Sequence, residues 1–210
     1  SETIRIFIGD CLSQSRVQDM ERLNLWIGES IKRGAVAVLT HRNGDMDTVG
    51  SACAIANIIG PKARACGVHL STMARTMVAK TGADFLVMDA NQPTWPRNLG
   101  GVIIVDAAGP NQPGIQIPDV PKCIIDHHSA GESFEIKQSD LEINWNTCST
   151  AEIIQLWAET YAPNRIDNQS RMLLLAGIIT DTGRFRHANA GALSSAGRLA
   201  DEANIDFSEF

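Results

Sequence analysis

Between Val17 and Arg33 the apolar residues Val17, Met20, Leu23, Ile27 and Ile31 recur three or four apart, and Gly34 follows as a stop. That spacing predicts an amphipathic helix. Ala35 to Leu39 is then an unbroken apolar run rich in valine, as expected of a strand buried on both faces of a parallel sheet. After Asp47 the run TVGSACAIANII, ended by Gly60-Pro61, predicts a helix whose small residues let it lie tightly on the sheet. Further strands are expected at Phe85 to Met88, Val102 to Val105 and Cys123 to Ile125, between polar loops rich in proline and glycine. Ser149 or Thr150 opens the next helix, with Glu152 as capping-box partner and Pro163 as its stop, and Met172 to Ile179 carries the chain to Asp181. Elements alternating in this way predict an α/β fold: a mostly parallel sheet flanked by helices, with right-handed crossovers.

A chain of 210 residues has the size of one well-packed domain, and residues 1–210 are read as a single unit. The apolar fraction of 44% and charged fraction of 20% are those of an ordinary globular chain, not of a disordered or fibrous one. A formal charge of −6 argues against gripping long duplex nucleic acid through counterion release. It leaves a small anionic substrate open, because aspartates that hold cations no longer act as free negative charges. Cys11, Cys53, Cys66, Cys123 and Cys148 are odd in number and lack a C-x-x-C pair, which reads as buried thiols in a reducing cytosol. The longest apolar run, Leu173 to Ile179, is far below a membrane span. A cytoplasmic protein without membrane attachment is expected.

Groups able to hold metal follow the apolar runs repeatedly. His41, Asp45 and Asp47 come after the first, Asp106 after Val105, Asp126-His127-His128 after Ile125, and Asp181 after Ile179. In an open parallel sheet the carboxyl ends of neighbouring strands share one edge, where ligands bind, so four distant segments can meet in one cleft. Carboxylates gathered there repel one another until protons or cations compensate. Imidazole and carboxylate donors without thiolate suit Mn²⁺ first, with Co²⁺, Fe²⁺, Zn²⁺ or Mg²⁺ as alternatives. Two such ions about 3.5–4 Å apart acidify a water and clamp phosphoryl oxygens during in-line displacement, which is the chemistry of phosphate hydrolysis.

At these residues the sequence resembles the DHH phosphoesterase family. His41-Arg42-Asn43-Gly44-Asp45-Met46-Asp47 with Gly50-Ser51 is similar to the first family motif, Asp106 after VIIV to the second, Asp126-His127-His128 to the third, and Thr180-Asp181-Thr182-Gly183-Arg184-Phe185 to the fourth. All four stand in the family's order across about two-thirds of the chain, a combination far more specific than any one short motif. The resemblance implies that His41, Asp45 and Asp106 hold one metal and that Asp47, Asp106, His127 and Asp181 hold the other, with Asp106 bridging. It further implies that His128 faces the substrate phosphate and that Asp126 orients a histidine from behind, as ligand histidines require. Gly44 stands where the family usually has proline, and is expected to loosen the loop without removing a ligand.

Each segment alone has a plainer reading. Asp45 and Asp47 in a glycine-containing loop suit turns and helix caps, His127-His128 a surface pair, and Asp181-Thr182-Gly183 an ordinary turn. Their convergence favours the metal reading. Arg42, Arg184, Arg186 and His187 flank the proposed ligands and are candidates for phosphate oxygens, the arginines in bidentate fashion. Trp26 and Trp157 fall in helical patterns and read as core; Trp95 and Trp145 lie in loop-like stretches, where burial of the ring is the favoured reading and stacking on a base the alternative; His69, outside every motif, reads as structural.

The leading expectation is a two-metal phosphodiesterase acting on short oligonucleotides or small nucleotides, as in the RecJ-like and nanoRNase branches. The Gly-x-Phe ending at Gly183 to Phe185 resembles those branches more than the pyrophosphatase branch. A manganese-dependent inorganic pyrophosphatase is the first alternative. A non-catalytic scaffold associated with replication is the second, disfavoured because every expected ligand is retained. The C-terminal substrate-binding domain usual in the family has no expected counterpart before Phe210, which leaves the exact substrate open, along with homodimer formation.

Overall fold

The computed structural model describes residues 14–203 and 205. Helix α1 (Gln14–Arg33) leads into strand β1 (Ala35–Leu39), followed by α2 (Met46–Ile59), β2 (Ala63–Gly67), α3 (Thr72–Thr81), β3 (Phe85–Val87), β4 (Leu99–Val105), β5 (Lys122–Asp126), β6 (Leu141–Asn144), α4 (Thr150–Tyr161), a 3₁₀ turn at Pro163–Arg165, α5 (Asn168–Asp181) and α6 (Ala190–Ala203). The six strands form one sheet in the order β3-β2-β1-β4-β5-β6, and every neighbouring pair is parallel. The expected parallel α/β architecture is therefore present.

The order reverses between β1 and β4, which pair side by side from Val36 opposite Gly101 to Leu39 opposite Ile104. At such a switch point the following connections leave in opposite directions and open a crevice beyond the carboxyl ends. A constant crossover hand then sends the β1–β2–β3 connections over one face and the β4–β5–β6 connections over the other. Accordingly, side chains from all six helices join one core with Val36, Val38, Ile103, Val105 and Ile125. The opposite face, with Leu39, Val102, Ile104 and Ile124, is covered by the loop residues Trp95, Ile115, Ile117, Val120 and Phe134.

Helix α2 is buried on nearly every side and makes its most extensive packing against α5. Glycine permits that approach: a Cβ on Gly50 would stand 2.5 Å from the Leu173 carbonyl oxygen. The small residues expected to bring α2 close to the sheet thus also bring it against a second helix. Trp26, Trp145 and Trp157 are buried, and Trp95 is half-buried. Cys53, Cys66 and Cys123 are buried free thiols, burial pushing the first two up to about 12, while Cys148 is half-buried and Cys11 lies outside the described residues. Among the described residues no helix is long and apolar enough to cross a membrane.

Candidate metal centre

The crevice at the switch point receives side chains from four segments. His41 is the second residue beyond β1, and Asp45 and Asp47 stand at the start of α2. Asp106 follows β4 directly, Asp126 ends β5 with His127 and His128 behind it, and Asp181 is the last residue of α5. Asp181 is thus delivered by the carboxyl end of a helix. Ligand-type atoms meet in a four-way group, Asp47, Asp106, His127 and Asp181, and in a three-way group, His41, Asp45 and Asp106, each within 4.8 Å; His128 comes equally near Asp106 and His127. Asp106 belongs to both groups.

Distances place the imidazoles among the carboxylates. His127 Nε2 lies 3.1 Å from Asp181 Oδ2, 3.2 Å from Asp106 Oδ1 and 3.8 Å from Asp47 Oδ2. His41 Nε2 lies 3.2 Å from Asp45 Oδ2 and 3.5 Å from Asp106 Oδ2. Burial opposes a charge on either ring, but hydrogen bonds and charges from the aspartates prevail and push His41 up to about 9 and His127 up to about 10. Burial raises the Asp47 carboxyl well above the usual range, and the charges of Asp106 and Asp181 add to it. Asp106 moves the other way: burial alone would raise it, yet its contacts with His127 and His41 hold it below the carboxylate range.

His127 is set for coordination. Its Nδ1 lies 3.1 Å from the Thr147 carbonyl oxygen, which only accepts, so Nδ1 carries the hydrogen. Nε2 then faces the carboxylates, buried and with no partner in hydrogen-bonding geometry among the described residues, and its proton is the one a cation would displace. An imidazole nitrogen facing three carboxylates fits a divalent cation, and the acid and imidazole cluster can bind one. His41 is set in the opposite sense. The Asn43 N–H donates to its Nδ1 at 3.2 Å, which puts the ring hydrogen on Nε2 toward Asp45 and Asp106. Coordination through Nε2 requires that contact to yield.

Neighbouring polar groups fix the carboxylates. Asp45 caps α2, accepting the Thr48 N–H at 3.1 Å, so the capping role weighed for it coexists with its place beside His41. Asp47, fully buried, accepts N–H bonds from Thr150 at 2.9 Å and Ala151 at 3.0 Å, two orphan donors at the start of α4. Asp106 accepts the Thr150 hydroxyl at 3.1 Å and has a left-handed backbone, φ 61°, a conformation that costs a non-glycine residue on the order of 1–3 kcal/mol. Thr48 joins the two strand ends, its hydroxyl accepting the His41 N–H at 3.2 Å and donating to the Val105 carbonyl at 2.9 Å. Thr48 and Thr147 carry no motif signal in the sequence, and Thr150 reads there only as a helix start.

Beside the cluster, His128 Nδ1 bonds Asp126 Oδ1 at 2.5 Å, and the side chain remains 41% exposed, accessible to a substrate. The bond to Asp126 raises its pKa despite partial burial. Gly44 corrects an expectation. At φ 57°, with the space for a Cβ filled by the His69 carbonyl oxygen, it holds the loop in a form proline cannot adopt, so the loop is fixed and not loosened. Arg42, Arg184, Arg186 and His187 are exposed on the segments that carry His41 and Asp181. Gly183, Arg184 and Phe185 form three successive left-handed residues, at φ 57°, 56° and 69°.

The profile of the DHH family, N-terminal domain, matches residues 35–178, and the chain belongs to that family. An uncharacterized protein of Methanocaldococcus jannaschii, MJ0988, is 29% identical over 173 residues, covering 77% of this chain and 50% of its own length. An exopolyphosphatase-related protein from Bacteroides fragilis superposes with a TM-score of 0.71 at 15% identity, over 94% of this chain and 59% of its own. A candidate family II inorganic pyrophosphatase from Methanococcus jannaschii gives a TM-score of 0.59 at 23% identity, over 81% and 57%. These structural likenesses establish the fold. The chain spans about half the length of the curated relative it matches.

Proposed function

We propose that the chain carries the metal centre of a phosphoesterase and that its substrate is a short oligonucleotide or small nucleotide. The observation that carries the first part is the buried, unbonded Nε2 of His127 facing Asp47, Asp106 and Asp181. In this reading His41, Asp45 and Asp106 hold one cation, Asp47, Asp106, His127 and Asp181 the other, and Asp106 is shared. Mn²⁺ suits the mixed donors. Cations bound there supply charge neutralisation for a phosphoryl group and a more acidic water.

The remaining groups act through position and protons. Asp126 holds the His128 ring by Nδ1 and leaves Nε2 for a substrate oxygen. The bond to Asp126 raises the pKa of that ring and so favours its protonated form, the form that gives a proton to the leaving-group oxygen as the ester bond breaks. Arg42, Arg184, Arg186 and His187 offer donors for the outer phosphate oxygens. The Thr180 to Phe185 segment supports a phosphodiester over pyrophosphate. The support is its Gly-x-Phe ending; within it Arg184 and Phe185 hold left-handed backbones, strain of the kind that gathers at functional sites.

Substrate choice is tested by Mn²⁺-dependent hydrolysis of short labelled RNA and DNA oligonucleotides, with pyrophosphate assayed alongside and Asp106→Ala as control. Nucleotide release that the substitution abolishes is expected. Release of phosphate from pyrophosphate, with the oligonucleotides intact, would transfer the assignment to an inorganic pyrophosphatase.

A further inference from the structure

Residues 147–151, Thr-Cys-Ser-Thr-Ala, contribute no side chain to either group of ligand-type atoms, yet four of their atoms touch those groups. The Thr147 carbonyl accepts from His127 Nδ1 at 3.1 Å. The Thr150 N–H donates to Asp47 Oδ2 at 2.9 Å and the Ala151 N–H to Asp47 Oδ1 at 3.0 Å. The Thr150 hydroxyl donates to Asp106 Oδ1 at 3.1 Å. Three side chains from three separate segments are thereby referred to one helix start. Ser149 already serves as the N-cap of α4, so the N–H groups given to Asp47 belong to a second, tertiary connection.

We infer that the start of α4 sets the spacing of the deeper group of ligands and that Thr150 is a positioning residue for it. One residue holds both Asp47 and Asp106, whose charges repel, Asp47 through its N–H and Asp106 through its hydroxyl. Each carboxylate oxygen has more than one lone pair, so the bonds from Thr150 leave acceptor capacity for a cation while fixing where it points. The left-handed backbone at Asp106 brings the carboxylate into this reach, and the hydroxyl bond keeps it there. Two of the four contacts are main-chain N–H bonds and one is a carbonyl, beyond the reach of side-chain substitution. The hydroxyl is the contact that mutation can remove alone.

This inference rests on the metal-centre reading, and the test separates the two. Mn²⁺ binding isotherms and metal-free melting curves are measured for the wild type, Thr150→Val and Thr150→Ser. Valine keeps the branched shape and the N–H but loses the hydroxyl; serine keeps the hydroxyl and loses the methyl. Thr150→Val is expected to weaken Mn²⁺ binding by about 10–100-fold, the range for losing an outer contact to a metal ligand, while Thr150→Ser binds as the wild type does. Unchanged affinity in the valine variant overturns the inference, whatever its melting temperature, and so does a serine variant as impaired as the valine one. Should the valine chain fail to fold, the serine chain still decides, since impaired binding there overturns the role of the hydroxyl. A wild type that binds no Mn²⁺ defeats the metal-centre reading and this inference together. Wild-type binding with an unaffected valine variant defeats this inference alone.

Discussion

His127 donates its Nδ1 hydrogen to the Thr147 carbonyl, 3.1 Å away, and so turns Nε2 toward the aspartates. The fold therefore keeps a repulsive cluster that a cation relieves. Because the unfolded chain has no such cluster, cation binding adds to folding stability by mass action, about 2.7 kcal/mol when the free ion stands at 100 times its dissociation constant. The melting temperature is expected to rise on adding Mn²⁺ and to return with a chelator. His127→Ala is expected to lose most of that rise, as read by differential scanning calorimetry.

Catalysis and metal retention should separate at His128. Its side chain is exposed and tied to Asp126, and it belongs to neither proposed ligand set. His128→Ala is expected to lower kcat by about 10²–10⁴-fold, the usual contribution of a positioned acid or base, with metal content per chain unchanged. Turnover equal to the wild type at full metal content would remove His128 from the reaction.

The α2–α5 contact predicts two different costs for the same small change. A Cβ at Gly50 meets backbone, the Leu173 carbonyl oxygen at 2.5 Å, so Gly50→Ala is expected to destabilise by about 1–3 kcal/mol through overpacking. A Cβ at Gly177 would instead lie 3.0 Å from Asp47 Oδ1. Gly177→Ala is expected to displace that carboxylate and weaken Mn²⁺ binding, with the smaller loss of stability. Urea unfolding together with metal titration of both variants checks the contrast.

Asp167 provides a pH test remote from the cluster. It caps α5, accepting the Ser170 N–H at 2.9 Å, and its carboxylate also accepts from the Asn57 amide. Burial alone would raise its pKa, but the bonds from Asn57 and Ser170 lower it below the ordinary value. A carboxyl lowered by folding stabilises above its unfolded pKa, and that contribution disappears as pH falls through the folded pKa. Asp167→Ala is expected to cost about 1 kcal/mol near neutrality, the usual worth of an N-cap, and progressively less in acid below the ordinary carboxylate range. A difference that stays constant into acid, measured by denaturant unfolding at several pH values, would contradict this.

The centre of the sheet was legible because β1, β4 and β5 are buried on both faces and therefore read as unbroken apolar runs. Strand β2 carries an exposed arginine within Ala63–Gly67, and β6 alternates buried and exposed over four residues, too few for a period to show. Helix α5 packs against α2, α4 and α6, so its run from Met172 to Ile179 is apolar on every side and the helical period is hidden. The residues of the cluster were legible as motifs, and the structure brings them together. Thr150 was visible as a helix start, but its bond to Asp47 joins positions 103 apart, a contact no local pattern encodes. Gly44 was read as a departure from a pattern, whereas its left-handed backbone against the His69 carbonyl is a tertiary requirement.

One shared carboxylate, Asp106, is proposed to organise two cation positions. Calorimetric titration of the metal-free protein with Mn²⁺ tests it most directly, using the wild type, Asp45→Ala and Asp106→Ala. Two ions per chain are expected for the wild type, a single retained ion for Asp45→Ala, and loss of tight binding at both positions for Asp106→Ala. Wild-type binding of no ion, or two ions held as tightly without the Asp106 carboxylate as with it, would contradict the account.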